Sequence, residues 1–459
     1  MKKLLSILLC AAIVVGLAAC NGSPAQDDAQ NADQSAPESN QPSPESDQPP
    51  PANTQTSPDS PLPPESAPPP DDAPPPAEVQ YSQGASATEI RVGNSAATSG
   101  GFAVVGVPLN AGIEAYFQMV NEGGGIDSRK ITFWHTDDEF EPIKGKAALE
   151  EMVEDEKLFA IVGAMGTPVI AAIIDDMKDY GIPCVYFATG IPQLLSTGAK
   201  TNQEGYNIFP VQPLYETEGR ILTAYATGKF GAQKIGVIYT NDDAGITLHK
   251  GVQLQVAELN GVELVAEQVA ANTADASAAV TSLKNAGVDI VVVAAIQATC
   301  PTIIKEMAAQ GMDVPAITSY VNAGIDTSEA VIEAITGRFD VYATAWVDAL
   351  DMESYLEFAT WIPSDYALNA YAMAGWIAGA AFVEGLRRIE GQDVTWANYM
   401  SALESAPIKL PFGAAVDYGN GNRWGTQAMS LSKVVPISEE FPLGWESVEP
   451  VTNMADLLR

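Results

Sequence analysis

The sequence predicts an α/β protein of two lobes, each built on a largely parallel sheet, with a cleft between them. Three observations carry this expectation. From Lys157 to Gly190 the chain reads as a short apolar run, a small-residue loop, an apolar helix and a second apolar run, which is a βαβ unit of right-handed crossover length. The same strand–helix alternation fills the region from Glu89 to Phe187 and starts afresh after Phe209-Pro210-Val211-Gln212-Pro213, as expected of a parallel α/β fold. Two such sets of similar size, joined at a proline-flanked crossing, imply two lobes, and clefts between lobes are favoured small-molecule sites.

In chain order, Met1-Lys2-Lys3 is a positive start followed by an apolar run from Leu4 to Val15 and the ending Leu17-Ala18-Ala19-Cys20, a secretory leader. That ending resembles the bacterial lipobox, which implies lipidation at Cys20. From Asn21 to about Ala87 the chain is Pro, Ser, Gln, Asp, Glu and Ala, a composition that cannot bury enough apolar surface to fold. Its triple prolines at Pro49–Pro51, Pro68–Pro70 and Pro74–Pro76 favour extended polyproline II. At roughly 3.1 Å per residue the reach of this spacer is at most on the order of 200 Å.

The globular part opens with a strand at Glu89–Gly93, a polar loop at Asn94–Gly101, a helix from about Val107 to Asn121 and a strand at Ile131–Trp134. A helix from about Ile143 to Glu156 leads to the strand Leu158–Val162, a helix whose polar face is Asp175, Asp176, Lys178 and Asp179, a stop at Gly181 and the strand Ile182–Phe187. The second series reads helix 216–230, strand 235–239, helix 247–259, strand 263–268, helix 276–286, strand 290–296, helix 302–310 and strand 316–319. Strand-like pattern returns at 338–346, and long helices are expected at about 365–390 and 396–405.

In open parallel sheets ligands bind beyond the carboxyl ends of the strands. The loops there, Ala164-Met165-Gly166-Thr167 and Ala188-Thr189-Gly190, are small and hydroxyl-bearing and suit a carboxylate or another polar group near a helix start. Thr189 is expected to hydrogen-bond the ligand, with a turn-closing role as the alternative. Asp242 and Asp243 are the acidic candidates of the second series, although a loop aspartate is commonly a turn former.

Composition narrows the function. A length of 459 residues and 46% hydrophobic content allow more than one core, and a net charge of −35 argues against nucleic acid and anionic membrane as partners. Cys184 and Cys300 lie in apolar runs of different regions and read as buried free thiols. No zinc spacing, Walker loop, His-Glu-x-x-His or Gly-x-Ser-x-Gly occurs, and His135 and His249 are the only histidines. Gly419-x-Gly421-x-x-x-Gly425 reads as a hairpin turn, and the acidic cluster Asp137–Glu141 matches no calcium loop. No enzyme activity, cofactor or metal is expected.

Four pieces, Asn121-Glu122-Gly123-Gly124-Gly125-Ile126, Ile161-Val162-Gly163-Ala164, Tyr180-Gly181-Ile182-Pro183 and Lys234-Ile235-Gly236-Val237-Ile238-Tyr239, taken in this order, resemble the type I periplasmic binding proteins of the branched-chain amino acid (Leu/Ile/Val-binding) group. These are solute receptors of ABC importers, and the resemblance spans about Thr88 to Val435. It implies two Rossmann-like lobes joined by three hinge crossings, here roughly at Val211–Pro213, Arg338–Val341 and Gly413–Asp417, closing as a clamp on a small molecule. The implied layout is a signal peptide at 1–19, lipidated Cys20 and disordered linker at 20–87, lobe 1 at 88–212 and 339–416, and lobe 2 at 213–338 with a return strand and tail at 417–459. By resemblance, 164–167 and 188–190 hold a ligand carboxylate and Phe102 supplies an aromatic wall. The family's second-lobe tyrosine reads Ala244 here, before Gly245, and its acidic residue reads Ser319-Tyr320-Val321, departures that disfavour an α-amino acid. Phe102 and Tyr320 suit an aromatic or apolar ligand, and Gln297, following a strand, completes the expected set. The implied protein is a monomer, lipid-anchored on the outer face of the bacterial cytoplasmic membrane, that captures a small amino acid-like or carboxylate/aromatic solute between its lobes and passes it to an ABC permease. The alternative is a tethered sensor of the same fold that signals to a membrane partner.

Overall fold

The computed structural model describes residues 79–199, 205–296, 298–348, 351–413 and 415–457. The leader, Cys20 and Gln297 lie outside the described residues. The linker expected through residue 87 gives way earlier to fixed structure. Tyr81 bridges Val394, Gln83 Nε2 donates to Leu158 O at 3.1 Å, and Trp396 N donates to Ser82 Oγ at 3.0 Å. Short polar side chains satisfying backbone groups hold this stretch where apolar burial is scarce.

The first sheet is five-stranded and wholly parallel, in the order β2-β1-β3-β4-β5: β1 is Glu89–Ala96, β2 Lys130–Asp137, β3 Ala160–Met165, β4 Cys184–Ala188 and β5 Ile208–Phe209. Its connecting helices are α1 (Ala103–Glu122), α2 (Pro142–Glu150) and α3 (Thr167–Tyr180). β3 is buried along its whole length, as a central parallel strand covered on both faces must be. Helix α1 starts at Ala103, four residues before the expected position, and carries Pro108 inside it.

After Phe209 the chain crosses to the second lobe. Helices α4 (Tyr215–Gly228), α5 (Asp243–Glu258), α6 (Ser277–Ala286), α7 (Thr299–Ala309) and α8 (Ile325–Ile335) alternate with β6 (Lys234–Thr240), β7 (Glu263–Val269), β8 (Ile290–Ala294) and β9 (Ala316–Thr318). The next strand, β10 (Val341–Ala345), pairs parallel with β9. The return to the first lobe expected at Arg338–Val341 therefore lies further on, after Ala345. Val341 and Ala343 are fully buried and extend the apolar face that β8 and β9 present, so the second sheet claims this strand.

The chain then adds helices α9 (Met352–Trp361), α10 (Ala370–Arg387) and α11 (Trp396–Glu404) to the first lobe and makes the small ribbon β11 (Ile408–Lys409) with β12 (Ala415–Val416). The single helix expected over 365–390 does not begin until Ala370, where Asn369 caps it by accepting from Tyr371 N and Ala372 N. Helix α10 lies directly on α1. A Cβ on Gly375 would meet Leu109 O at 1.9 Å, and one on Gly112 would meet Ala372 O at 2.0 Å, so this crossing requires glycine on both helices. The chain returns to the second lobe as β13 (Ala428–Val434) and β14 (Trp445–Asn453), both antiparallel, giving the seven-stranded order β14-β13-β10-β9-β8-β6-β7. Where a tail was expected, a paired strand stands.

Candidate functional site

A cavity of about 490 Å³ opens beyond the carboxyl ends of β3, β4, β9 and β10. The first lobe contributes Phe102, Met165, Gly166, Thr167, Tyr186 and Ala188, and the second contributes Ile296, Tyr320 and Val321. Gln212 and Trp346 reach it from the two crossings, Tyr371 from α10, and Ser430, Trp445 and Glu449 from the antiparallel pair.

On the first-lobe side, Gly166 (φ 103°) turns β3 into α3, a conformation that side-chain-bearing residues rarely adopt. The Phe140 ring lies 3.1 Å from where a Gly166 Cβ would sit and stacks on Phe102, with centroids 3.7 Å apart and planes 8° from parallel. Phe102 is thus half of a double aromatic wall, and the second half comes from the acidic loop. There Asp137 Oδ1 accepts from Thr98 N and Glu139 N and Asp138 Oδ1 accepts from Phe140 N, so these carboxylates shape the turn that carries Phe140.

Thr189 is fully buried and does not line the cavity. Its hydroxyl pairs with Thr167 Oγ1 at 2.9 Å, and the Tyr215 hydroxyl bonds to both, forming a three-hydroxyl cluster behind the wall. Burial pushes the Tyr215 phenol up to about 12. Ala164 points into the core on the other side of β3, and Gly190 is pressed against the backbone of Pro213 and Tyr215. Met165, Gly166, Thr167 and Ala188 do line the cavity.

On the second-lobe side, Tyr320 opens a single 3-10 turn, Tyr320–Asn322, directly after β9. A fully buried carboxylate organises it. Glu218 of α4 accepts from Ser319 Oγ at 2.8 Å, Tyr320 N at 2.7 Å and Thr344 Oγ1 at 2.5 Å. Burial outweighs these donors and raises the carboxyl to about 7. The aspartates expected here are elsewhere. Asp242 caps α5 by accepting from Gly245 N at 2.9 Å, Asp243 is exposed, and neither lines the cavity.

A chain of neutral hydrogen bonds joins the lobes. Tyr186 Oη donates to Gln212 Oε1 at 3.0 Å, Gln212 Nε2 donates to Tyr320 Oη at 2.8 Å, and Tyr320 Oη donates to Pro213 O at 3.2 Å. Tyr186 sits inside β4 yet has φ 64°, opposite Gly163 with φ 80°, so the β3–β4 ladder skips this pair. Such strain in a bulky residue persists only where its surroundings impose it, and it concentrates at ligand sites. Sequence reasoning missed Tyr186, Gln212, Trp346 and Tyr371. Gln212 carried a usable signal, a lone amide between two prolines at the crossing.

The comparisons agree with this architecture. Residues 89–438 match a family model described as periplasmic binding protein. A Leu/Ile/Val-binding protein homolog 1 from Brucella suis is 26% identical over 333 residues, covering 72% of this chain and 86% of that one. Among solved structures, a fatty acid ABC transporter substrate-binding protein from Thermomonospora curvata superposes with a TM-score of 0.69 at 17% identity, covering 83% of this chain and 97% of the other. A branched-chain amino acid ABC transporter protein from Thermus thermophilus with bound valine gives 0.68 at 17% identity, covering 81% and 98%. These relatives and neighbours are solute-binding proteins rather than enzymes, and their family works outside the cytoplasm. With two largely parallel sheets facing one cavity and a family match over most of its length, this chain belongs to the periplasmic binding protein family.

Proposed function

We propose that this protein captures a small solute between its two lobes and delivers it to an ABC importer, tethered by a lipid on Cys20 to the outer face of the membrane. The observation that carries the reading is the shared cavity. Its walls come from the strand ends of both lobes and from the chain segments that cross between them, so a bound molecule rewards closure of one lobe on the other. The ligands of its structural neighbours, a fatty acid and valine, support a solute-binding role and differ too much to name the solute. Phe102, Met165, Gly166, Thr167, Ala188 and Tyr320 are the proposed contacts, joined by Tyr186, Gln212, Trp346 and Tyr371.

The test is a melting-temperature screen of amino acids, aromatic acids, amides and nucleobases. A ligand at about 100 times its dissociation constant stabilises the folded state by about 2.7 kcal/mol. Transport is then measured with the purified permease in proteoliposomes. Chemical conversion of a bound hit, seen by mass spectrometry, overturns the receptor reading, and failure of the permease to move the hit overturns delivery. For the tether, Cys20→Ala releases the protein from the membrane fraction. Unchanged membrane association overturns the anchor.

A further inference from the structure

The cavity's polar groups are uncharged where they meet its aromatic walls. Lys, Arg and His are absent from the described residues that line it, and the two lining carboxylates are Asp348 and Glu449, the latter ion-paired with Lys229. An anion placed here would face those carboxylates and, behind the Tyr320 backbone, the buried Glu218. The start of α3 offers an anion less than a helix start usually does. Pro168 brings no N–H, Thr167 Oγ1 is engaged with Thr189, and the Phe140 ring covers Gly166. Removing a charge from water without a partner costs more than one neutral hydrogen bond returns.

The neutral groups remain. Of the two N–H donors and two acceptor lone pairs on the Gln212 amide, Tyr320 and Tyr186 occupy one each, leaving one donor and one lone pair. Burial keeps both phenols protonated, with Tyr186 and Tyr320 raised well above the ordinary tyrosine value. Around this relay stand Phe102, Trp346, Tyr371 and Trp445, whose flat faces suit a ring. The volume of about 490 Å³ equals about sixteen waters at ~30 Å³ each, roughly twice the non-hydrogen atoms of leucine.

We infer that the solute is a ring compound without a carboxylate, aromatic or alicyclic, whose hydroxyl or carbonyl bonds to Gln212. This rests on the receptor reading and deepens it. The zwitterion of a branched-chain amino acid would set its carboxylate at the start of α3, where the Thr167 hydroxyl is engaged with Thr189 and Pro168 has no N–H to give.

The experiment is calorimetry on the purified protein at neutral pH with probes matched in shape and different in charge: 4-propylphenol, 4-propylbenzoate and L-phenylalanine, with L-leucine added. The expected result is that 4-propylphenol binds about tenfold or more tighter than every carboxylate probe, and that Gln212→Leu weakens it about three- to tenfold, the worth of one neutral hydrogen bond. Tighter binding of any carboxylate probe overturns the ligand class and leaves the receptor reading standing. Unchanged phenol affinity in a folded Gln212→Leu protein overturns the assignment of Gln212. Should that variant not fold, Gln212→Asn, which draws the amide back by one methylene, is expected to weaken phenol binding by a similar factor, and unchanged affinity overturns the assignment equally. Binding by no probe at all, to protein that circular dichroism shows folded, overturns the ligand class, and only a failed screen of the wider solutes overturns the receptor.

Discussion

Replacing Glu218 by Gln is the most informative single perturbation of this fold. The carboxyl is wholly buried, and burial raises it from 4.5 to about 7 despite three donors. In the unfolded chain it would release its proton near 4.5, so between that value and about 7 the folded state binds more protons. Its stabilising contribution is therefore complete below about pH 4.5 and is lost as pH rises through 7. At about 1.36 kcal/mol per unit, the loss across that window is about 3 kcal/mol. A glutamine at 218 keeps the acceptor for Tyr320 N and Thr344 Oγ1, and its amide can donate to Ser319 Oγ, so the loop after β9 stays in place. Other carboxylates titrate alike in both proteins and cancel in the difference. The assay is chemical denaturation of wild type and Glu218→Gln at pH 5 and pH 8, taking the pH dependence of the difference between them. Glu218→Gln should gain about 2.5 kcal/mol relative to wild type on moving to the higher pH, because pH 5 already lies inside the window. A difference that stays constant, or moves the other way, refutes the reasoning that burial governs this carboxyl.

Further expectations concern packing and hydroxyls. Gly375→Ala drives a methyl into Leu109 O and should lower stability by about 1–3 kcal/mol or more, read as a reduced melting temperature, and an unchanged value would show that α1 and α10 can slide apart freely. Thr189→Val strips one hydroxyl from the cluster with Thr167 and Tyr215 and should cost about 1–3 kcal/mol of apo stability with little change in ligand affinity, whereas a large affinity loss at unchanged stability would return Thr189 to the ligand's side. Cys184 and Cys300 are free, fully buried and raised by burial, Cys300 to about 12. A thiol reagent should label them only in denaturant, and rapid labelling of the native protein would contradict the packing.

The alternation of strand and helix was legible in the sequence because parallel strands buried on both faces write continuous apolar runs, such as Ile161–Val162 and Ile290–Ala294. The first-lobe loops were legible for the same reason, since they must follow those runs. What escaped depends on distant partners. Val341–Ala345 reads as a strand whichever sheet receives it, and only its pairing with β9 and β13 decides. Thr189 looked exposed at a strand end, and the crossing that brings Tyr215 against it lies beyond any local window. Trp445 and Glu449 reach the cavity because β14 pairs with β13, a register that no nearby turn residue sets.

The split of the first lobe along the chain also shapes how the protein is made. Its sheet is complete in sequence by Phe209, but the helix that seals α1, Ala370–Arg387, is synthesised only after β6 to β10 of the other lobe. An emerging chain thus holds an unsealed apolar sheet while its neighbour assembles from contiguous strands, and contiguous elements close their contacts sooner because shorter loops must be ordered. For a chain read as secreted, that interval favours export in an unfolded state, since the half-finished lobe has nothing to lock it before translocation. Strands β13 and β14 then complete both the second sheet and the cavity wall, so the ability to bind arrives only once they are made.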